Sequence, residues 1–423
     1  MKLTRIGQVT LAIAASLGLW AGIASCNPGD TIDYLFVTSN NANSKTCPAQ
    51  GEITSYRVNS YSGALTVVAG SPYCSQGSNP VAEVASPNQQ YLYVANRGSN
   101  SIAQFTVGTD GQLAAGKTYT TPGSEPAALA INSTGTLLFV VDFYESGYTD
   151  VSPGPGALVV YPISSDGSLG TPVGTAGAYT PLQCFPSGVA VTPSGDYVYV
   201  TNTNSYVVTT TAPTTSTPPA TPSACPSGGT ISGFSVASGG AVTAIAGSPF
   251  LAGSTPTGIA IDPTSRFVYA TDSVQNELIA YEIQTAGGLY PLPNGPFQAG
   301  TFPVNVVVDP RGMYIYVTDY NTSTISEFTL TQSTGSPSQG ASATFGTSAP
   351  SPTCILVEPS LGRYVYTSDY TGAYVTGAVL NPNTGALSGI QDSPYPANGS
   401  PTCVAAVPHG NHATQFVPTT SGN

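Results

Sequence analysis

Apolar residues in this chain come in short runs that alternate large with small rather than apolar with polar. Residues 197–202 read YVYVTN, so both faces of the strand they predict are dry. A sheet with one wet face would instead show apolar and polar positions in turn. The same run recurs at 34–40 (YLFVTSN), 91–96 (YLYVAN), 138–142 (LFVVD), 267–272 (FVYATD), 314–319 (YIYVTD) and 364–369 (YVYTSD). Self-similarity at a spacing of tens of residues marks one supersecondary unit that buries its faces only by stacking on its copies.

The flanks of the run repeat as well. A proline opens another apolar strand about eleven residues upstream, as in 80–87 (PVAEVASP), 256–263 (PTGIAIDP) and 352–359 (PTCILVEP). A third strand follows the run, then a turn such as Asp110-Gly111 or Thr384-Gly385, then a fourth strand. Four antiparallel strands joined by tight turns, seven times over, predict an all-β, seven-bladed β-propeller. Intact blades start near Pro80, Pro126, Pro186, Pro256, Pro303 and Pro352. The first run, at 34–40, has no proline strand before it, and the last proline strand, 401–408, has no successors. The two chain ends are therefore expected to share one blade, with 414–417 (TQFV) as a competing strand. Two insertions, 143–156 and 203–229, fall between the second and third strands of their blades. The latter carries the Thr/Pro-rich stretch 209–219, a composition that packs no core.

Composition supports this picture. Charged residues make up only 7% of the chain, with 47 Gly and 37 Pro, which suits many tight turns. Lys2 and Arg5 precede an uncharged apolar stretch ending in Ile23-Ala24-Ser25-Cys26, which resembles a lipobox. The expected organisation is a signal peptide at 1–25, lipidation of Cys26, a tether at 26–32, one propeller domain at 33–417 and a tail at 418–423. An ordinary secretory peptide and an uncleaved anchor helix are the alternatives. Asn27 is not the aspartate that favours inner-membrane retention, so the expected address is the outer membrane or cell surface, the periplasmic side being the other option. Cleavage leaves seven Lys and Arg against 21 Asp and Glu, a net charge of −14. Without a cluster of cations, nucleic acid is not an expected partner.

Six cysteines remain after Cys26. An even number in an exported chain favours disulfides. Their places in the repeat predict Cys47–Cys74 and Cys184–Cys225, each pinning a loop of one face. Cys354 and Cys403 occupy the same position in neighbouring inner strands and form either a pair or two buried thiols.

The Tyr-Val-Tyr-Val-Thr-Asn run, the Ser-Pro and Asp-Pro turns and the segment 94–102 (VANRGSNSI) resemble YVTN-type propeller repeats and the lactonase-like propellers. That group includes bacterial 6-phosphogluconolactonase and fungal carboxymuconate cyclase. The resemblance spans residues 33–408 and implies the fold more strongly than an activity. It implies catalysis by His, Arg and Glu side chains within the propeller, yet the two histidines, His409 and His412, lie in the C-terminal tail. A phosphorylated lactone calls for clustered cations, and here they are scattered. No catalytic residue is carried over.

Candidate chemistry is sparse. Asn96, Asp142, Asn202, Asp272, Asp319 and Asp369 end six of the runs. The carboxylates Asp142, Asp272, Asp319 and Asp369 could form an oxygen ring for Ca²⁺, or each could cap its own turn. Arg97 could clamp a ligand carboxylate or pair with an aspartate of a neighbouring blade. With Arg97, the insertion carrying Tyr144, Glu145, Tyr148 and Asp150 forms a candidate ligand patch, or else a loop folded on its own blade. The only tryptophan, Trp20, lies in the leader, so a tryptophan platform for sugars is excluded. The reading favoured by sequence is a monomeric, lipid-anchored binding or scaffold module for a protein or envelope polymer, held at the membrane through its anchor alone. The alternative is a lactonase-like hydrolase of an unphosphorylated lactone, with Ca²⁺ as an optional Lewis acid.

Overall fold

The computed structural model describes residues 30–41, 44–175, 178–203, 228–343 and 351–410. The leader with Cys26, most of the Thr/Pro-rich insertion with Cys225, and 414–417 lie outside them. Seven antiparallel sheets follow one another around a central channel. The first intact blade runs Pro80–Ala85, Tyr91–Asn96, Ser101–Val107 and Leu113–Thr120, from the channel outward. Four blades add a two-residue strand on the third strand, for example Phe297–Gln298 against Glu277–Ile283. The helix assigned within the described residues is one 3-10 turn, Arg97–Ser99.

Closure is as the repeat predicts. The C-terminal strand Ser400–Pro408 is the innermost of its blade and pairs with Thr31–Asn40, from Asp33 opposite Pro408 to Asn40 opposite Ser400. Glu52–Asn59 and Leu65–Val67 complete that blade.

The apolar core is divided among seven interfaces, each between adjacent blades. Parity along the repeated run explains this. Tyr314 and Tyr316 pack forward against Ile355, Val357 and Val365, while Ile315 and Val317 pack backward with Phe267 and Tyr269. Successive residues of a strand point to opposite faces, so a run apolar at every position joins two interfaces at once.

The hydroxyls are equally regular. The tyrosine at the third position of the run donates to the carbonyl of the hairpin glycine in the next blade: Tyr93 to Gly167, Tyr199 to Gly287, Tyr269 to Gly335, Tyr316 to Gly385 and Tyr366 to Gly63, at 2.6–2.8 Å. Phe36 lacks that hydroxyl, and Ser55 Oγ serves Gly111 instead at 2.8 Å. The threonine before the terminal Asn or Asp has its own task. Each inner strand bulges just after its proline, which frees an amide of the ladder. Thr271 Oγ1 accepts from Gly258 N at 2.8 Å, and Thr318 Oγ1 from Asn305 N at 3.1 Å. The residue after the proline carries the bond to the next blade. Ser187, Thr257, Thr353 and Thr402 donate to backbone carbonyls of the following inner strand, Thr257 to Pro303 O at 3.1 Å and Thr402 to Pro80 O at 2.8 Å.

Candidate functional site

Inner strands have no partner on their channel side, so their edges expose backbone donors and acceptors to whatever occupies the channel. At the face of the long loops the channel holds a cavity of about 390 Å³. Its wall includes Glu83, Ser187, Thr257, Asn305, Thr353, Tyr370 and Thr402. The carboxyl in this wall is that of Glu83, whose Oε1 accepts from the amide of Thr38 at 3.2 Å. Burial raises its pKa well above the usual carboxylate range, only partly offset by the amides of Thr38 and Ala405. Among the described lining residues there is no Lys or Arg.

A second cavity, also about 390 Å³, lies on the same face between the first two intact blades. Asn79, Arg97, Asn100, Glu125, Thr149 and Asp150 are among its lining. The structure thus brings Arg97 and Asp150 together, but Arg97 is not a free clamp. Its Nε and Nη2 donate to Glu125 Oε2 at 3.0 and 2.7 Å, and its guanidinium lies 4.7 Å from the centre of the Phe143 ring. The partner acid comes from the next blade, the second of the two roles weighed for this arginine.

The aromatic part of the proposed patch is a correction. Tyr144 is buried, packed with Cys184 and Phe185, and with Phe143 and Tyr148 against that cluster. The strand Leu137–Tyr144 continues through the start of the expected insertion and turns the Tyr144 ring inward, while Phe143 and Tyr148 stay partly exposed. Glu145 is half-buried, and burial raises its pKa. It does not line either cavity.

The aspartate ring is a second correction. Asp142, Asp272, Asp319 and Asp369 are buried, one in each of four blades, and bond to nearby loops and strands. Asp142 accepts from Gly123 N at 3.0 Å. Asp272 accepts from the amides of Thr255, Val274 and Gln275 at 3.1–3.2 Å. Asp319 accepts from Gly300 N and Ser326 Oγ, and Asp369 from the hydroxyls of Thr367 and Thr376. Among the described residues no three metal-ligating side chains converge.

Cys47 and Cys74 are joined, with Cα atoms 5.2 Å apart. Cys354 and Cys403 are also joined, at 4.9 Å, because adjacent inner strands approach that closely at the channel. Cys184 is disulfide-bonded, and its expected partner Cys225 lies outside the described residues.

A rim feature escaped the sequence reading. Asn79, Glu125, Phe185, Phe302 and Ser351 each precede an inner-strand proline and each has positive φ, between 51° and 68°. Residues before proline ordinarily stay extended, so this conformation is held by its surroundings. Glu125 N, for instance, donates to Asn100 Oδ1 at 2.8 Å. The prolines marked the positions, but nothing local in the sequence signals the sign of φ.

Comparison with known proteins agrees with this architecture. No curated protein matches the sequence. The periplasmic gluconolactonase PpgL of Pseudomonas aeruginosa superposes with a TM-score of 0.68 at 17% identity, over 89% of this chain and 99% of that one. A candidate 6-phosphogluconolactonase of Bacteroides fragilis gives 0.67 at 16%, over 89% and 98%. One from Bacteroides uniformis gives 0.69 at 16%, over 89% and 100%. At these identities the likeness is one of fold. The model of the family "Lactonase, 7-bladed beta-propeller" matches residues 49–146 and 230–357, more than half of the sequence. By that match, and by the closed ring of seven blades, the chain belongs to the lactonase family of seven-bladed β-propellers.

Proposed function

We propose that this protein is a lactonase-like hydrolase of an unphosphorylated lactone, acting outside the cytoplasm with its substrate seated in the channel cavity. The observation that carries the reading is that cavity. It has the volume of a small-ligand site, and it combines hydroxyl and backbone groups with one carboxyl in its wall. Described lining residues offer no cation to a phosphate, which favours a neutral ring over a phosphorylated one. Family membership and the periplasmic gluconolactonase among similar folds support the same chemistry.

Hydrolysis requires water to attack the ring carbonyl, the resulting oxyanion to be held, and the ring oxygen to leave with a proton. Backbone amides on the channel edges can hold an oxyanion. Glu83 carries the proton in this reading, because burial favours the protonated form of its carboxyl. Disulfides at Cys47–Cys74 and Cys354–Cys403 fit an oxidising compartment, as the leader and Cys26 imply. Lipidation is tested by loss of acyl incorporation in Cys26→Ala.

The activity test follows proton release by purified protein from sugar and aliphatic lactones, with 6-phosphogluconolactone for comparison. Each is run with added Ca²⁺ and with a chelator. Saturable turnover of unphosphorylated lactones is expected, lost in Glu83→Gln while the melting temperature holds. Folded wild-type protein that turns over none of them overturns the reading, and full activity in Glu83→Gln overturns the role of Glu83.

A further inference from the structure

The disulfide Cys354–Cys403 differs from Cys47–Cys74 in both connection and setting. Cys47–Cys74 ties a loop to the third strand's outer edge within one blade. Cys354–Cys403 crosses from the inner strand of one blade, Pro352–Val357, to that of the next, Ser400–Pro408. That second strand is the C-terminal one, and it closes the ring by pairing with Thr31–Asn40. Both cysteines belong to the wall of the channel cavity, Cys403 the more exposed of the two.

The ring is tight at this level. The equivalent residues of the other inner strands are Ala82, Ala128, Gly188, Gly258 and Asn305. A Cβ on Gly188 would stand 2.7 Å from Thr257 O, and one on Gly258 would stand 2.7 Å from the Asn305 Cα. Two cysteines fit side by side here because the bond holds their sulfurs closer than unbonded heavy atoms approach, which is roughly 3.5–4.0 Å. Once the bond is broken, the two sulfurs must part. The thiols must turn into the cavity, or the C-terminal strand must move away from Pro352–Val357.

We propose that Cys354–Cys403 is a reducible latch, through which small thiols in the channel control how firmly the C-terminal strand closes the ring. A dithiol supplies the two electrons. Its first thiolate attacks Cys403 Sγ, Cys354 leaves as a thiolate and takes up a proton, and the second thiolate then releases Cys403. The products are two protein thiols and one cyclic disulfide. The inference does not rest on the lactonase reading, since none of its readouts is turnover.

The test exposes folded protein to dithiothreitol, traps thiols with iodoacetamide, and locates the labels by peptide mapping beside amide hydrogen exchange. The expected result is labelling of Cys354 and Cys403 below the unfolding transition. Exchange should rise several-fold in Ser400–Pro408 and stay unchanged in Pro186–Val191 and Pro256–Ile261, reversing on reoxidation. The double variant Cys354→Ala/Cys403→Ala reproduces the alanines found at Ala82 and Ala128, and its exchange should ignore dithiothreitol. Labelling of the pair only on global unfolding overturns the proposal. So does labelling without a change in Ser400–Pro408, or a response to dithiothreitol that persists there in the double variant.

Discussion

The hydroxyl of Tyr316 donates to the carbonyl of Gly385 at 2.7 Å, across the boundary between two blades. Gly385 has φ of +76°, and a Cβ there would run into the ring of Tyr314. One run of sequence thus grips the next blade's hairpin twice, through a ring packed on the glycine and a hydroxyl bonded to it. Tyr314 itself donates to Pro382 O at 3.2 Å.

Tyr316→Phe should therefore cost about 1–2 kcal/mol, the usual penalty for leaving a buried carbonyl unpaired. Phe36 and Phe139 stand at the same place in their own runs, so the ring itself is tolerated. Gly385→Ala should cost more, about 2–4 kcal/mol, since it adds left-handed strain to a clash with Tyr314. Chemical denaturation of both variants checks the order, and a more stable Gly385→Ala protein would refute the packing argument.

This regularity is why the fold was legible. Each blade must satisfy the same hairpin, the same bulge and the same two apolar faces, so Tyr, Thr and Pro return at fixed places. The site was far less legible. No strand carries a motif for the channel cavity, which arises only when seven inner strands converge. Arg97 meets Glu125 across a blade boundary, 28 residues away, where the sequence suggested an aspartate of a neighbouring blade. The aspartates stayed ambiguous because a carboxylate that serves local hydrogen bonds is chemically the same group that would bind Ca²⁺. The pairing of Cys354 with Cys403 turned on a distance between strands that no spacing in the sequence encodes.

Stability should fall as pH rises from about 4 to about 7, opposite to ordinary acid denaturation. Burial raises Asp142 and Asp369 to about 7 and Asp319 to about 6, and it also raises Asp33, Glu83 and Glu358. Unfolded carboxyls titrate near 4, so within this window the folded state binds more protons. The stabilisation is complete below the unfolded value and is lost as pH passes through the folded one. Asp142→Asn should flatten the profile and stabilise the protein at pH 8 by on the order of 4 kcal/mol, at about 1.4 kcal/mol per pKa unit over about three units. Asparagine already fills the equivalent place at Asn96 and Asn202. Melting temperatures from pH 4 to pH 8 decide the matter, and a wild-type maximum at pH 8 would contradict it.

The hydroxyls beside the channel should contribute separately. Thr402→Val removes the bond to Pro80 O and the contact with Thr38 Oγ1, at 2.8 and 3.0 Å. Thr257→Val removes the bond to Pro303 O at another boundary. Val81 and Val304 stand at this position in other blades, so the shape is accepted. Each change should cost about 1 kcal/mol. Because the two sites share no partner, the double variant should lose the sum to within about 0.5 kcal/mol. A large coupling in denaturation experiments would show instead that the inner strands respond as one ring.

The Arg97–Glu125 pair separates ion pairing from backbone strain. Both side chains are about one-third exposed, so solvent screens the pair, and Arg97→Ala should cost only about 1 kcal/mol even with the stacking on Phe143 removed. Glu125 has φ of 57°, a conformation that costs a non-glycine residue on the order of 1 kcal/mol. Glu125→Gly removes the pair and the strain together, and should leave stability within about 0.5 kcal/mol of wild type. Glu125→Ala removes the pair and keeps the strain, so it should fall below Glu125→Gly by about 1 kcal/mol. If the two variants prove equally stable in chemical denaturation, the left-handed rim is relaxed rather than held. The bond from Glu125 N to Asn100 Oδ1 would then have no strain to oppose.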